Sequence, residues 1–179
     1  MTKKDPMTEK EPIAELDPRF SDPNATPTPW ADAREQLVQA KAYWLSTVRP
    51  DGRPHVTTVA AVWVDGTLHF TTGQSERKAQ NLAQNTNCVI TTGTNAFEGL
   101  DVVVEGKAAL VTDEARLQRL ADGYIAKYDQ LFVFLVRDGA LWIDGSEDPG
   151  LAYEVKPTKA FGFAKGDPFS QTRWLFQST

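Results

Sequence analysis

The chain has little of what side-chain catalysis usually requires. Its 179 residues include one cysteine, Cys88, and two histidines, His55 and His69. One cysteine cannot close an internal disulfide, and no Cys-x-x-Cys pair exists, so a reducing compartment is the simplest setting. Cys88 stands in the apolar run Cys88-Val89-Ile90, where a buried, inert thiol is the default. No His-x-x-x-His or Cys-x-x-Cys spacing offers ligands to a metal. His55 and His69 fall in adjacent strands and could meet, but two ligands without a third make a weak site. Exposed hairpin histidines are the simpler expectation. Gly-x-Ser-x-Gly, Gly-x-x-x-x-Gly-Lys-Ser/Thr and a strand-following Gly-x-Gly-x-x-Gly are all missing. That removes the main support for a serine hydrolase, a nucleoside triphosphatase and a Rossmann dehydrogenase. No apolar run approaches the roughly 18 residues of a membrane span, and no apolar segment near the N-terminus reads as a signal peptide. A cytoplasmic location is expected. Lys and Arg number 19 against 24 Asp and Glu, for a net charge of -5. That balance argues against non-specific nucleic-acid binding and gives no reason to expect an anionic membrane as partner. An enzyme built from these residues would leave the hard chemistry to a bound organic cofactor.

What is present reads as one globular domain behind a tail. The hydrophobic share, 41%, and the charged share, 24%, are ordinary for a folded domain. Residues 1–29 are expected to be a flexible leader, with Pro6, Pro12, Pro18, Pro23, Pro27 and Pro29 among many charges. Ile13, Leu16 and Phe20 are its available anchors. Residues 30–179 are the expected domain.

From Trp30 onward, Trp30, Ala33, Leu37, Ala40 and Trp44 recur at helical spacing, with Asp32 able to cap the helix start or favour its positive end. An aromatic and β-branched strand follows over 43–48, then the tight turn Pro50-Asp51-Gly52 and a second strand signal over 55–64. Asp65-Gly66 is a two-residue hairpin signal leading into a third strand over 67–72. Ser75 is expected to cap a short helix over 76–84, and 88–92 reads as a buried strand. The stretch 100–111 alternates, with Val102, Val104, Ala108 and Leu110 on one face and Asp101, Glu105 and Lys107 on the other. Gly106 in its middle predicts a bulge or bend of the kind that curls a sheet into a barrel. Thr112 or Asp113 caps the clearest helix, whose stripe is Leu117, Leu120, Ala121, Tyr124, Ile125 and Tyr128. Closing strands are expected over 153–155, 159–163 and 172–176, the first two separated by Pro157. The sum is a mainly β chain with flanking helices (α+β), of six or seven antiparallel strands, and not a doubly wound parallel sheet.

One segment carries a candidate site: Thr71-Thr72-Gly73-Gln74-Ser75-Glu76-Arg77-Lys78-Ala79-Gln80-Asn81-Leu82. It joins a strand end to a helix start. Thr71, Thr72 and Ser75 supply hydroxyls, Gly73 allows close approach to the backbone, and the helix start favours negative charge. Arg77 and Lys78 add two cations, so a phosphate or carboxylate site is the functional reading. The plainer alternative is a solvated first turn whose Arg and Lys pair with Glu76 or other carboxylates.

The hairpin Leu45-Ser46-Thr47-Val48-Arg49-Pro50-Asp51-Gly52-Arg53-Pro54-His55-Val56-Thr57-Thr58-Val59 resembles the first hairpin of the pyridoxamine 5'-phosphate oxidase-like, flavin-binding split β-barrels. The run Arg77-Lys78-Ala79-Gln80-Asn81-Leu82 resembles their phosphate-binding helix start. The ending Thr172-Arg173-Trp174-Leu175-Phe176, after Phe161-Gly162-Phe163, is similar to the group that uses the deazaflavin coenzyme F420. The resemblance spans residues 30–176. It implies a homodimer with two cofactors at the interface. The strand bearing His55, Thr57, Thr58, Val59 and Ala60 would lie along the tricyclic ring. Thr71, Thr72, Gly73, Ser75, Arg77, Lys78 and Asn81 would belong to the pocket for the phosphate-bearing tail. Trp174 would pack near the ring, from the same or the other subunit, the alternative being plain core packing. No side chain is assigned as catalytic. The activity implied is an F420-dependent reductase that passes hydride to an electron-poor small molecule. FMN is the alternative cofactor, and a non-catalytic cofactor-sequestering protein is the alternative of another class. The basic residues that an oxidase of this family uses for its pyridoxal substrate have no equivalent run here. Residues 129–149 match no family pattern and are expected to shape the substrate pocket.

Overall fold

The computed structural model describes residues 11–176; residues 1–10 of the expected tail and 177–179 of the expected domain lie outside them. Helix α1 (Trp30–Gln39) buries Trp30, Ala33 and Leu37, as their spacing requires. Its N-cap position is Pro29 and Asp32 makes no cap bond. Strands β2 (Tyr43–Val48) and β3 (Pro54–Val59) form the first hairpin, with Thr47 opposite His55. Gly52 sits in the turn at φ 84, and its N–H donates to the Arg49 carbonyl at 2.8 Å. Ala60 then interrupts the expected 55–64 strand. After it, β4 (Ala61–Val64) pairs not with β2 but with β5 (Thr67–Gly73), through the Asp65-Gly66 turn whose two residues both have positive φ.

Helix α2 (Arg77–Gln84) leads to β6 (Asn87–Thr92) and β7 (Gly99–Val111). Helix α3 (Glu114–Tyr128) is capped by Asp113, whose carboxylate accepts from the Arg116 N–H at 2.9 Å. A small hairpin, β8 (Leu135–Arg137) and β9 (Ala140–Trp142), follows. Then comes the longest strand, β10 (Gly150–Lys165), and finally β11 (Ser170–Leu175). All the pairings are antiparallel, and the main path runs through seven strands, from the N-terminal strand through β11, β10, β7, β6 and β2 to β3. With β4, β5, β8 and β9 branching off, the sheet has eleven strands among the described residues, more than the six or seven that the alternation revealed.

Several expectations are corrected. Residues 153–155 and 159–163 are not separate strands: β10 runs through Pro157 and shifts register between Pro157 and Lys159. The bulge that Gly106 predicted therefore lies on its partner, where Thr158 is left over and donates its hydroxyl to the Glu105 carbonyl at 3.0 Å. Gly106 is needed there, because a Cβ would stand 2.6 Å from the Lys156 carbonyl oxygen. Leu110 is exposed and Val111 takes the inner position, since the alternation slips at the end of β7. Trp44 is likewise exposed, on the outer face of β2.

The expected leader is also part of the sheet. Strand β1 (Ile13–Leu16) pairs with β11, Ile13 opposite Leu175. Of its proposed anchors Leu16 is half-buried, whereas Ile13 and Phe20 are exposed, and backbone bonds hold the segment beside them. The Asp17 N–H donates to the Gln171 carbonyl at 2.9 Å and the Asp22 N–H to the Phe169 carbonyl at 3.0 Å. Pro29 is thus not where structure begins.

Two cores result. One fills the barrel with Tyr43, Leu45, Leu68, Phe70, Ile90, Val104, Val155 and Trp174. The other lies under α3, where Leu117, Leu120 and Tyr124 meet Val62, Phe134 and Leu141. Trp174 is fully buried, edge-on to Trp30 at 5.4 Å between ring centroids, and its indole N–H donates to the Thr28 carbonyl at 3.1 Å. Gly162 makes room for it: a Cβ there would lie 2.3 Å from Trp174 Cη2. The indole is pinned on both sides and cannot yield cheaply. Gly162→Ala is therefore expected to destabilise the fold by roughly 1–3 kcal/mol, read as a lowered midpoint in denaturant or thermal unfolding. An unchanged midpoint would show that the indole has space to move.

Candidate functional site

The first hairpin and α2 meet at the start of β3. Asn81, on the inner face of α2, is fully buried, and its Nδ2 donates to Thr47 Oγ1 on β2 at 2.9 Å. Thr47 Oγ1 stands 3.5 Å from His55 Nδ1 across the hairpin. One hydroxyl thus ties the helix to the strand pair. Three cations from two segments, the hairpin turn and α2, act on His55: burial lowers its pKa from the ordinary histidine value, and Arg49, Lys78 and Arg77 add to that. Lys78 is buried and makes an ion pair with Glu76, whereas Arg77 is exposed. Buried polar atoms without a partner lie on the same elements: Arg49 Nε, Asn81 Oδ1, Thr57 Oγ1 and, on β5, Thr71 Oγ1. An unpaired buried donor is costly, and a ligand oxygen is what a guanidinium N–H would accept as partner.

The turn before α2 is arranged differently from expectation. Ser75 does not cap the helix; Glu76 occupies the cap position and no side chain caps it. The Glu76 carboxylate folds back and accepts from the Gly73 N–H at 2.8 Å and from Thr72 Oγ1 at 3.1 Å. Burial raises its pKa, but the bonds from Lys78 and Gly73 outweigh that and leave it below the ordinary value. Ser75 Oγ donates to Asp148 Oδ2 at 2.7 Å. The same carboxylate lies over Gly73, 2.4 Å from where a Cβ would be. The anion nest of Thr72, Gly73 and Ser75 is therefore filled by two carboxylates of the chain itself, one local and one from the β9–β10 connection. The functional and the plainer readings of this segment divide between its residues: the turn satisfies itself and Lys78 pairs with Glu76, as the plainer reading has it, while Asn81 is bonded to Thr47 and Arg77 adds its charge near His55.

The other end of β3 opens into a cleft of about 620 Å³ lined by Thr58, Val59, Ala60, Lys41, Lys127 and Tyr128, among others. It holds three of the residues expected along the ring. Lys127 Nζ donates to Tyr43 Oη at 2.6 Å and to the Ala61 carbonyl at 3.0 Å, and burial together with Lys41 lowers its pKa to about 8. Leu131 and Phe132 also line this cleft, so the start of the unplaced stretch 129–149 does form a pocket wall.

Two expected residues are corrected outright. Trp174 lies in the barrel core and not at the site. His69 is no exposed hairpin histidine: it is buried, opposite Val62 and Glu154, with Nδ1 3.2 Å from the Thr67 carbonyl. Burial pushes the Cys88 thiol up to about 11, as an inert thiol requires. Arg49, Thr47, Lys41 and Lys127 belong to the site without having been expected there. Arg49 had a signal, a cation at a strand end inside the hairpin motif. Lys41 and Lys127 had none, because 86 positions separate them.

Comparison with known proteins bears on this geometry. No curated protein matches the chain. A candidate pyridoxamine 5'-phosphate oxidase from Listeria innocua superposes with a TM-score of 0.56 at 17% identity, over 73% of this chain and 94% of that one. A candidate 5-nitroimidazole antibiotic resistance protein from Bacteroides thetaiotaomicron gives 0.59 at 15% identity, over 93% and 91%. HutZ, a heme storage protein from Vibrio cholerae, gives 0.58 at 20% identity, over 76% and 94%. At these identities the likeness is one of fold, the split barrel. The family profile described as pyridoxamine 5'-phosphate oxidase matches residues 30–149, which take in the hairpin, the cation cluster and the cleft, and the chain belongs to that family.

Proposed function

We propose that the chain binds a flavin-type cofactor, in the first place the deazaflavin F420, and acts as a reductase of electron-poor small molecules. The observation that carries this reading is the buried, unpaired Arg49 Nε on the hairpin to which Asn81 and Thr47 tie α2, the helix that bears Arg77 and Lys78. These residues suit the anionic tail. Thr57 continues the same face of β3, and Thr58, Val59 and Ala60 line the cleft that suits a flat ring. When bound in its reduced form, such a cofactor supplies a hydride. The chain's own part is to bind and orient: the cations fix the tail, β3 fixes the ring, and the cleft walls exclude water from the transfer. On this reading no single side chain is expected to be indispensable for the hydride step, and the proton that follows would come from solvent or a nearby hydroxyl.

A homodimer with the cofactor between subunits belongs to the same proposal. Trp44 and Val56 stand exposed on the outer face of the β2–β3 hairpin, an apolar surface suited to a second copy. FMN is the rival ligand, since one phosphate also fits three cations.

Fluorescence titration with F420 and with FMN decides between the two cofactors. Arg49→Ala and the double variant Arg77→Ala/Lys78→Ala are each expected to weaken the preferred cofactor by roughly tenfold or more. Undiminished affinity in both would overturn the tail site. Tight binding with no reoxidation by enones, quinones or nitro compounds would favour a sequestering protein.

The His55 titration gives an independent check. Its neutral ring is favoured by burial and by three cations, so an anion seated among them must raise its pKa. Adding inorganic phosphate should move the His55 midpoint upward in an NMR titration and leave buried His69 unmoved. Equal movement of both, or of neither, would count against the cluster as an anion site.

A further inference from the structure

The cleft at the far end of β3 carries charge that the tail site does not use. Lys41 and Lys127 both line it. Lys41 Nζ donates to the Lys127 carbonyl at 2.6 Å and lies 5.7 Å from the Tyr128 ring centroid. Lys127 Nζ gives two bonds, to Tyr43 Oη and to the Ala61 carbonyl. An ammonium has three donors and no acceptor, so each lysine keeps at least one N–H for another partner. Among the described residues neither forms an ion pair. Asp129 is the one carboxylate on the cleft wall, leaving two cations against one anion. The remaining wall is largely apolar and aromatic, with Tyr128, Leu131 and Phe132.

Two neighbouring ammonium groups, one of them half-buried, repel each other, and an anion between them relieves that repulsion. The cluster around His55 lies roughly 15 Å away along the strand, at about 3.3 Å per residue. A small anion cannot reach both centres. The second centre therefore calls for a charge carried by a different molecule, or by a different part of the assembly, than the cofactor tail.

We propose that the Lys41, Lys127, Tyr128 and Phe132 side of this cleft, across from the β3 residues assigned to the ring, binds the acceptor substrate, and that the substrate is a planar conjugated molecule bearing a carboxylate. Lys41 and Lys127 hold the carboxylate, and Tyr128 and Phe132 cover the flat part. The role of acceptor rests on the redox reading above; the binding itself needs no cofactor.

The test uses the full chain without cofactor. 4-Nitrobenzoate and its neutral counterpart 4-nitrobenzamide are titrated by calorimetry. The carboxylate is expected to bind about tenfold more tightly than the amide. Lys41→Met should remove that preference and leave amide binding unchanged, and this exposed lysine can be replaced without disturbing the core. Lys127→Arg should keep the preference, whereas Lys127→Met, if it folds, should lose it. Arg77→Ala should leave nitrobenzoate affinity as it was. Equal affinity for the two probes, no saturable binding of nitrobenzoate, or a loss with Arg77→Ala in place of Lys41→Met would overturn the proposal. Nitrobenzoate binding that survives a failed cofactor titration would sink the redox reading alone; the reverse result would sink only this one.

Discussion

The structure depends on one long strand that changes partner along its length. Over its first residues β10 pairs with β5 on one edge and β7 on the other. From Lys159 onward the first edge is taken by β11, while β7 continues on the second. A strand has only two edges, so β5 and β11 cannot both lie beside the same stretch. The register shift at Thr158, opposite Gly106, is where one neighbour gives way to the other. A bulge adds twist and bends the strand, and here it lets the sheet close in two unequal parts. The split of the barrel is therefore a consequence of how hydrogen bonds are shared along β10.

A second break mirrors the first. At Ala60 the chain leaves the β2–β3 hairpin and joins the β4–β5 pair, so β3 has its own ladder only on the β2 side. The two ends of β3 are then bordered by different elements. The turn residue Arg49 and helix α2 border the beginning, and the end of α3 borders the other. Each neighbour brings cations, so an acidic chain of net charge -5 presents two separate positive centres along one strand. Local charge, and not overall charge, is what an anionic ligand meets at close range, because solvent ions screen the rest within about 10 Å.

Carboxylates decide which of the basic and hydroxyl groups are available. Glu76 and Asp148 take up the Gly73 and Ser75 donors before any ligand can. Glu76 also pairs with Lys78, so a ligand anion at Lys78 competes with a carboxylate already in place. Arg49 has no such competitor on its Nε. That difference makes the residue outside the expected set the better anchor for the tail site proposed above.

Features governed by neighbours along the chain are legible in the sequence itself. The positive-φ turns at Gly52 and Asp65-Gly66, the Asp113 cap, the buried stripe of α3 and the bulge near Gly106 follow from backbone sterics and apolar spacing within a few residues. The family hairpin and the basic helix start are legible for the same reason. Tertiary structure alone decided that Trp174 fills the core, that His69 is buried, that residues 13–16 complete the sheet edge, and that Asp148 reaches the turn at Ser75. It also brought Lys127 to Tyr43 and Asn81 to Thr47. Hydrogen bonds and Coulomb forces at the site act over a few ångströms. Partners at that distance are chosen by strand register and helix docking, which no local pattern of residues contains.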